Sequence, residues 1–404
     1  MNPSLWKLTT IGDVAKLGSG STPSRAKQSE YYDGGIIPWV KTGDLNNGLI
    51  LKTDECITQK ALDESSCRVY PAGTLLVAMY GGFKQIGRTG LLGRDAAINQ
   101  ALTSIDLDLT MACATYVQHW LNFKVDHWQR LAGSSRKDPN ITKSEVAVFP
   151  LLLPPLSEQV AISNVLSQWD RGILQLTEVI SVKLQFKHCV MERILIGTSR
   201  FRNFGDEWLS VRLSDVTEEC NERNRGRMGL ESVMAVTKAD GIVPMRERTI
   251  GASIDRYLVV QKNCFAYNPM RINIGSIARS QGDKDVLVSP DYVVFRCKEE
   301  SKDVPGLDPD FLDHFRRSKL WEKFVMATGN GSVRIRIYYA ELSRLKLNLP
   351  LLAEQKKIAK LLNVMDREIE LLRKQLDLLK LQKKGLMQKL LTGQVRVKSP
   401  KGAK

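Results

Sequence analysis

The chain is 404 residues long, 43% hydrophobic and 25% charged, with 59 Lys and Arg against 44 Asp and Glu for a formal charge of +15. That length suits two domains with connecting elements, and the positive excess favours a polyanionic partner, with a merely basic soluble protein as the competing reading. No apolar run reaches membrane-spanning length, the start is not a signal peptide, and the seven cysteines form neither a C-x-x-C pair nor an even framework, so a reduced cytoplasm and no structural zinc are expected.

From Trp6 a short strand is expected to Leu17, followed by GSGSTPSR from Gly18 and YYDGGIIPWVKTGDL from Tyr31. Short β-rich segments such as IIPWV and GTLLVAMY, punctuated by Gly and Ser-Thr-Pro, predict a mixed α/β body rather than a helical bundle. In the loop that follows Leu17, Ser21, Thr22, Ser24, Arg25 and Lys27 combine small hydroxyls, backbone N–H groups and cations, with Lys41 beyond them. That set suits phosphate or base-edge contact, although a plain surface turn reads the same. YGGFKQIGR from Tyr80 adds Lys84 and Arg88, and GSSRKDPN from Gly133 adds Ser135, Arg136, Lys137 and Asn140.

A long helix comes next, entered through LPPLSEQVAISNVLSQWD from Leu153. Leu-Pro ends an extended segment, and Glu158 suits a first helical turn. Ile162, Trp169, Leu176 and Val190 make one apolar row; Leu166, Ile173, Ile180 and Ile194 make another, interrupted by Lys183 and Lys187.

A second body opens with WLSVRLSDV from Trp208 and carries NERNRGR from Asn221, with Arg223, Asn224, Arg225 and Arg227. YNPMRINIGSIAR from Tyr267 brings Arg271, Asn273 and Arg279; GNGSVRIR from Gly329 brings Asn330, Ser332, Arg334 and Arg336. Arginine can bond guanine bidentately and asparagine adenine, so these loops are candidate major-groove readers, with a solvated charged face as the competing reading.

The second long helix enters through LPLLAEQKKIAKLLNVMD from Leu349. Ile358, Met365, Leu372, Leu379 and Leu386 recur every seven residues, beside Leu362, Ile369, Leu376 and Leu390, broken only by Lys383. Each helix would span about 55 Å at 1.5 Å per residue.

The two tails match at a spacing of 196: Glu158-Gln159 with Glu354-Gln355, Ile162 with Ile358, Leu166 with Leu362, Asp170 with Asp366, Met191 with Met387 and Gly197 with Gly393. Because 196 is a multiple of seven, both helices keep one register and can present matched seams. Each copy is a variable body of about 140 residues followed by a matched tail of about 50. GTSRFRNFGDEW after the first tail leads into Trp208, whereas GQVRVKSPKGAK follows the second, as though a circle were cut there. Two body-plus-helix units in a pseudo-twofold repeat, with antiparallel helices, would give that pattern.

Catalytic motifs fail on inspection. GFKQIGRT from Gly82 has Walker A spacing, but Arg88 stands where lysine belongs. YNPM is similar to the Asn-Pro-Pro-aromatic motif of amino-methyltransferases but lacks the second proline, the aromatic and a glycine-rich cofactor loop. His119, His127, His188 and His314 show no metal-ligand spacing, and His119 and His314 read as helix-packing residues. No catalytic or metal-ligating set is expected.

GSGSTPSR…YYDGGIIPWVKTGDL, GSSRKDPNITKSEVAVFPLLLPPLSEQ and LMQKLLTGQVRV resemble the specificity subunit of type I restriction-modification systems, over essentially the whole chain. ILIGTSRF departs mildly from the LLTG ending. The resemblance implies an α+β chain with two target-recognition domains, 1–148 and 201–345, joined by two antiparallel coiled-coil spacer helices, 149–200 and 346–404. It also implies that double-stranded DNA, two methyltransferase subunits and two ATP-dependent translocase-nuclease subunits are the partners. S-adenosylmethionine would sit on the methyltransferase, ATP and magnesium on the nuclease, and no cofactor on this chain. A related system with a fused methyltransferase-nuclease would fit as well, and neighbouring reading frames would separate the two. A free-standing two-domain DNA-binding regulator would need no matched helical seam; a coiled-coil adaptor would need no basic loops. Co-purification with a methyltransferase separates those.

Overall fold

The structure, a computed structural model, describes residues 6–133, 139–302, 306–329 and 336–397. The chain divides into two compact units, residues 1–177 with 374–404 and residues 178–373. Each therefore holds one body with part of both long helices, Leu156–Ile194 and Leu352–Leu391.

In the first unit the strand expected from Trp6 to Leu17 is broken by one helical turn. Lys7–Thr10 pairs antiparallel with Pro150–Leu153, Ile11–Val14 turns, and Ala15–Ser19 continues against Leu102–Leu107. The break has a local cause: the Asp13 carboxylate accepts the Thr10 N–H at 2.9 Å and its hydroxyl at 2.8 Å, which closes the turn and drops Ile11 and Val14 into the core. Five strands form one sheet, in the order Ala15–Ser19, Leu102–Leu107, Leu75–Ala78, Thr89–Leu92, Leu49–Ile50. Four more, Glu55–Ile57, Ile37–Val40, Ala96–Ile98 and Val69–Tyr70, form a second. The larger core lies under the first sheet, where Leu75, Tyr116, Trp128 and Phe149 meet Ile162 and Leu166 of the first long helix and Met387 and Leu390 of the second.

The second unit repeats the frame with different filling. Leu209–Arg212 pairs with Lys346–Leu349, Leu213–Val216 turns under Asp215, and Thr217–Glu219 joins a four-stranded sheet with Val293–Cys297, Phe265–Tyr267 and Ile277–Arg279. A separate hairpin, Met234–Thr237 with Gly241–Pro244, and a pair, Leu258–Val260 with Val286–Val288, complete the strands described there. Phe265, Phe295, Phe311 and Phe315 pack on Ile358 and Leu362 of the second long helix and on Met191 and Ile194 of the first. Thus the residues matched at spacing 196 bury themselves in corresponding roles in each unit. No helix among the described residues is long and apolar enough to cross a membrane.

Candidate nucleic-acid interface

In the first unit the loop after Ser19 is pressed against the sheet. A Cβ at Gly20 would run into the carbonyls of Ile98 and Asn99, so only glycine fits this approach. Ser21 N–H donates to Ile98 O at 3.0 Å, Trp39 Nε1 and the Tyr32 hydroxyl donate to the carbonyls of Ser21 and Pro23, and Thr22 bonds Gln100. On this rigid base the Arg25 guanidinium lies 4.1 Å from the Tyr32 ring centroid and 5.3 Å from that of Trp39. Arg25 and Lys41 converge on Glu55, at 2.7 and 2.8 Å, while Lys27 bonds the Tyr31 hydroxyl at 2.9 Å and Glu64 at 3.1 Å. The Lys41 hydrogen bond holds the Glu55 carboxyl below its ordinary range; burial works against it, and Arg25 adds to the lowering. Ser21, Thr22, Ser24, Arg25, Lys27 and Lys41 thus form one ordered patch whose charges are partly balanced. Ser24, Arg25 and Lys27 are exposed and Lys41 is half-buried.

Lys84 is exposed and Arg88 half-buried on a separate loop; neither makes an ion pair with a described residue. Ser135, Arg136 and Lys137 lie outside the described residues, as do Asn330, Ser332 and Arg334. Asn140 is half-buried, and Arg336 is exposed beside Ile337, whose N–H donates to Pro269 O at 3.1 Å.

The second unit corrects part of the expected reader set. Asn224 is fully buried, its Nδ2 donating to Met228 O at 3.0 Å and its Oδ1 accepting Met228 N–H at 2.8 Å. Its amide staples the loop and leaves no edge for adenine. Arg223 donates to Arg256 O, and Arg227 to the carbonyls of Asn224 and Arg223 and to Glu222, so these two guanidiniums brace the loop as well. Arg225 lies in an exposed turn at φ 48°, and Arg227 is exposed as well. Arg279 is another correction: its side chain is only 10% exposed, pairs with Asp310 and reaches Asn263 Oδ1 at 3.3 Å. Arg271 is exposed and Asn273 half-buried. Asn273 and Arg279 line a cavity of about 960 Å³ between the Met234–Pro244 hairpin and the helix Lys319–Gly329, with Lys238, Arg316 and Trp321, none of which the loop motifs singled out.

The helix rows are sorted by burial. Ile162, Leu166, Ile180, Ile358, Leu362 and Ile369 are buried, and Trp169, Ile173, Leu176, Met365, Leu372, Leu376 and Leu379 are half-buried. Leu174, Val182, Phe186, Leu371 and Leu378, off those rows, are exposed.

The helix entrances hold the residues most sharply defined. In the first unit Glu158 is buried and accepts two hydrogen bonds of 2.6 Å from Arg396 and one of 3.3 Å from Trp6 Nε1. In the second, buried Glu354 accepts 3.0 and 2.7 Å bonds from Arg200 and one of 3.3 Å from Trp208 Nε1. Beside them, Gln159 Nε2 donates to Met111 O and Pro154 O while its Oε1 accepts Cys113 N–H; Gln355 does the same with Gly306 O, Pro350 O and Asp308 N–H. Gly197 and Gly393 take φ of 79° and 73°, which ends each helix and lets Trp208 and Trp6 lie against them. The acidic residue read as a first-turn helper is therefore the anchor of a buried ion pair. Its arginine partners were missed, though Arg200 and Arg396 are also 196 apart.

Further along, the lysines read as interruptions reach across to acids. Lys383 pairs with Asp170 in the first unit; Lys187 with Asp366, and Lys183 with Glu368 at 2.7 Å, in the second. Burial, with Lys383 beside it, pulls the buried His119 imidazole down to about 4 against the opposing pull of Asp170. His314 is lowered by burial too, although its bond to Asn363 works the other way. Among the described residues no cluster of three or more His, Cys, Asp or Glu could hold a metal ion.

The family model described as type I restriction modification DNA specificity domain matches residues 3–185 and 206–381. The chain is 24% identical over 417 residues to the MjaVIII specificity subunit of Methanocaldococcus jannaschii, covering 98% of this chain and 94% of that one. It is 23% identical over 184 residues to the Escherichia coli EcoR124I/EcoR124II specificity subunit, a match that spans 45% of either chain. A match of 30% identity to the M. jannaschii MjaIX specificity subunit likewise spans 42% of this chain and 38% of that one. In fold it is similar to the type I S subunit from M. genitalium, with a TM-score of 0.58 at 14% identity over 96% of this chain and 97% of that one. A chain from a study of complex assembly and conformational transition in a type I R-M system gives 0.56 at 14% identity, over 98% of this chain and 100% of that one.

Proposed function

The chain belongs to the type I restriction modification DNA specificity family, and from that premise we propose that it is the DNA-reading, non-catalytic subunit of a type I restriction-modification complex. Each body, residues 1–148 and 201–345, reads one half of a bipartite duplex site. The long helices, residues 149–200 and 346–404, pair as an antiparallel coiled coil in a pseudo-twofold arrangement that sets the gap. Phosphate contacts from the basic loops set register, and exposed side chains such as Arg25, Arg225 and Arg271 choose bases. Two methyltransferase subunits, carrying S-adenosylmethionine, dock one per half-site, and two ATP- and magnesium-dependent translocase-nuclease subunits complete the cytoplasmic restriction complex.

One observation carries this reading: two helix entrances built from the same four residue types stand under two bodies with different sheets. Repeated anchors serve a repeated partner, and dissimilar bodies serve dissimilar words.

The test separates the two jobs. Inserting four residues near Gln175, about one helical turn or roughly 6 Å, should lengthen the gap by about two base pairs at 3.4 Å each and leave both words alone. Replacing residues 201–345 by the body of another such subunit should change one word and keep the gap. Methylated-site sequencing reads both; a changed word after the insertion, or a changed gap alone after the exchange, overturns the assignment.

A further inference from the structure

Each unit contains a charged joint that the reader loops do not use. In the first, Asp170 of the first long helix pairs with Lys383 of the second and faces His119 Nδ1 at 3.8 Å, while His119 Nε2 lies 3.4 Å from the Ser167 hydroxyl. In the second, Asp366 pairs with Lys187 and faces His314 Nδ1 at 3.9 Å, and His314 Nε2 lies 2.8 Å from Asn363 Oδ1. Asp170 and Asp366, Lys187 and Lys383, and Ser167 and Asn363 are all 196 apart, so the joint is duplicated with the rest of the tail. It joins three elements in each unit: both long helices and a helix of the body, Ala114–Phe123 or Pro309–Phe315.

Apolar rows alone tolerate sliding, because one methyl contact substitutes for another. A lysine placed in such a row, 16% exposed at Lys383 and 11% at Lys187, has one partner within reach and so selects one register. Both histidines keep a buried Nδ1 without a hydrogen bond, turned to that same aspartate at a distance too long to bond. The body helix is held over the carboxylate by packing and by the contacts of Nε2 with Ser167 and Asn363.

We propose that these two joints are positioning devices that fix how each body seats on the helix pair, and that this seating, beyond helix length, decides how strictly the gap between half-sites is enforced. The inference rests on the bipartite reading above. The second joint is the stricter, because Arg317 Nη1 also lies 3.8 Å from Asp366 and Asn363 bonds His314 more closely than Ser167 approaches His119.

The full chain, co-expressed with the methyltransferase of its own locus, provides the test by methylated-site sequencing. Asp366→Asn should keep both words and raise methylation at gaps one base pair too long or too short about tenfold, the scale of loosening one polar tie. Asp170→Asn should do so less. Should Asp366→Asn not fold, Lys187→Gln carries the same expectation and Lys187→Arg should behave as wild type. Folded variants with an unchanged gap distribution, or with altered words, overturn the proposal. A wild-type complex that methylates no bipartite site would instead remove the reading on which it rests.

Discussion

Set side by side, the two units share their anchors and differ in almost everything those anchors hold. Glu158 and Glu354 accept from an arginine and a tryptophan in the same way, and Gln159 and Gln355 tie three backbone groups apiece. Above them, the first unit builds a five-stranded and a four-stranded sheet, the second a four-stranded sheet with a detached hairpin and a strand pair. Their candidate reader patches also differ: an arginine stacked on Tyr32 and steadied by Glu55 in one, a loop braced by its own arginines in the other. Side chains that close the frame are repeated; those of the exposed loops differ, and little in the frame depends on them.

The comparison breaks most severely in the core of each unit. Leu166→Ala and Leu362→Ala each remove a fully buried side chain at matching points, and each should destabilise its own unit by about 2–5 kcal/mol in denaturant unfolding. Leu371→Ala, half exposed on the same helix as Leu362, should stay within about 0.5 kcal/mol. A large loss at Leu371 would mean that the apolar rows have been drawn on the wrong face.

Next come the glutamines. Gln355→Ala leaves Asp308 N–H, Gly306 O and Pro350 O without their partner, at about 1–3 kcal/mol for each buried group, so a loss of about 3 kcal/mol is expected after partial rescue by water. Gln159→Ala should match it in the first unit. Hydrogen exchange locates the effect: the Asp308 amide should accelerate in the one variant and the Cys113 amide in the other.

The smallest effect sharpens the comparison through pH. Folding lowers His119 from its ordinary 6.5 to about 4, so in the window between them the unfolded chain binds the extra proton. Its contribution to stability is complete above about pH 6.5 and is lost as pH falls toward 4, amounting to about 2 kcal/mol between pH 7 and pH 5. His119→Asn should flatten that slope in thermal melts. His314 is shifted in the same direction, so the second unit should soften with acid as well.

The parts legible in sequence were those with a period. The 196-residue spacing and the seven-residue rows identify the buried faces because a helix repeats its geometry, and Ile162, Leu166, Ile358 and Leu362 are all buried. The mixed α/β character of the bodies was readable from their turn punctuation. Composition could not separate a reader from a brace: Asn224 and Arg279 have the residue types of base contacts, yet one is buried and the other nearly so, and they are engaged by Met228 and Asp310. The Asp13 turn inside the first strand has no sequence pattern to announce it, because one carboxylate creates it. Lys187 and Lys383 were read as flaws in the rows; that they are themselves 196 apart was the available sign of their pairing.

The Glu158 anchor bears on the order in which the chain can be completed during synthesis. Glu354 emerges 154 residues after Arg200, so the ion pair of the second unit can close as soon as its helix entrance is made. Glu158 must wait 238 residues for Arg396. At ribosomal speeds of about 5–20 residues per second, that is roughly 10–50 s in which a carboxylate destined for burial has only Trp6 and water to meet. The half that is translated first is therefore the half that is finished last.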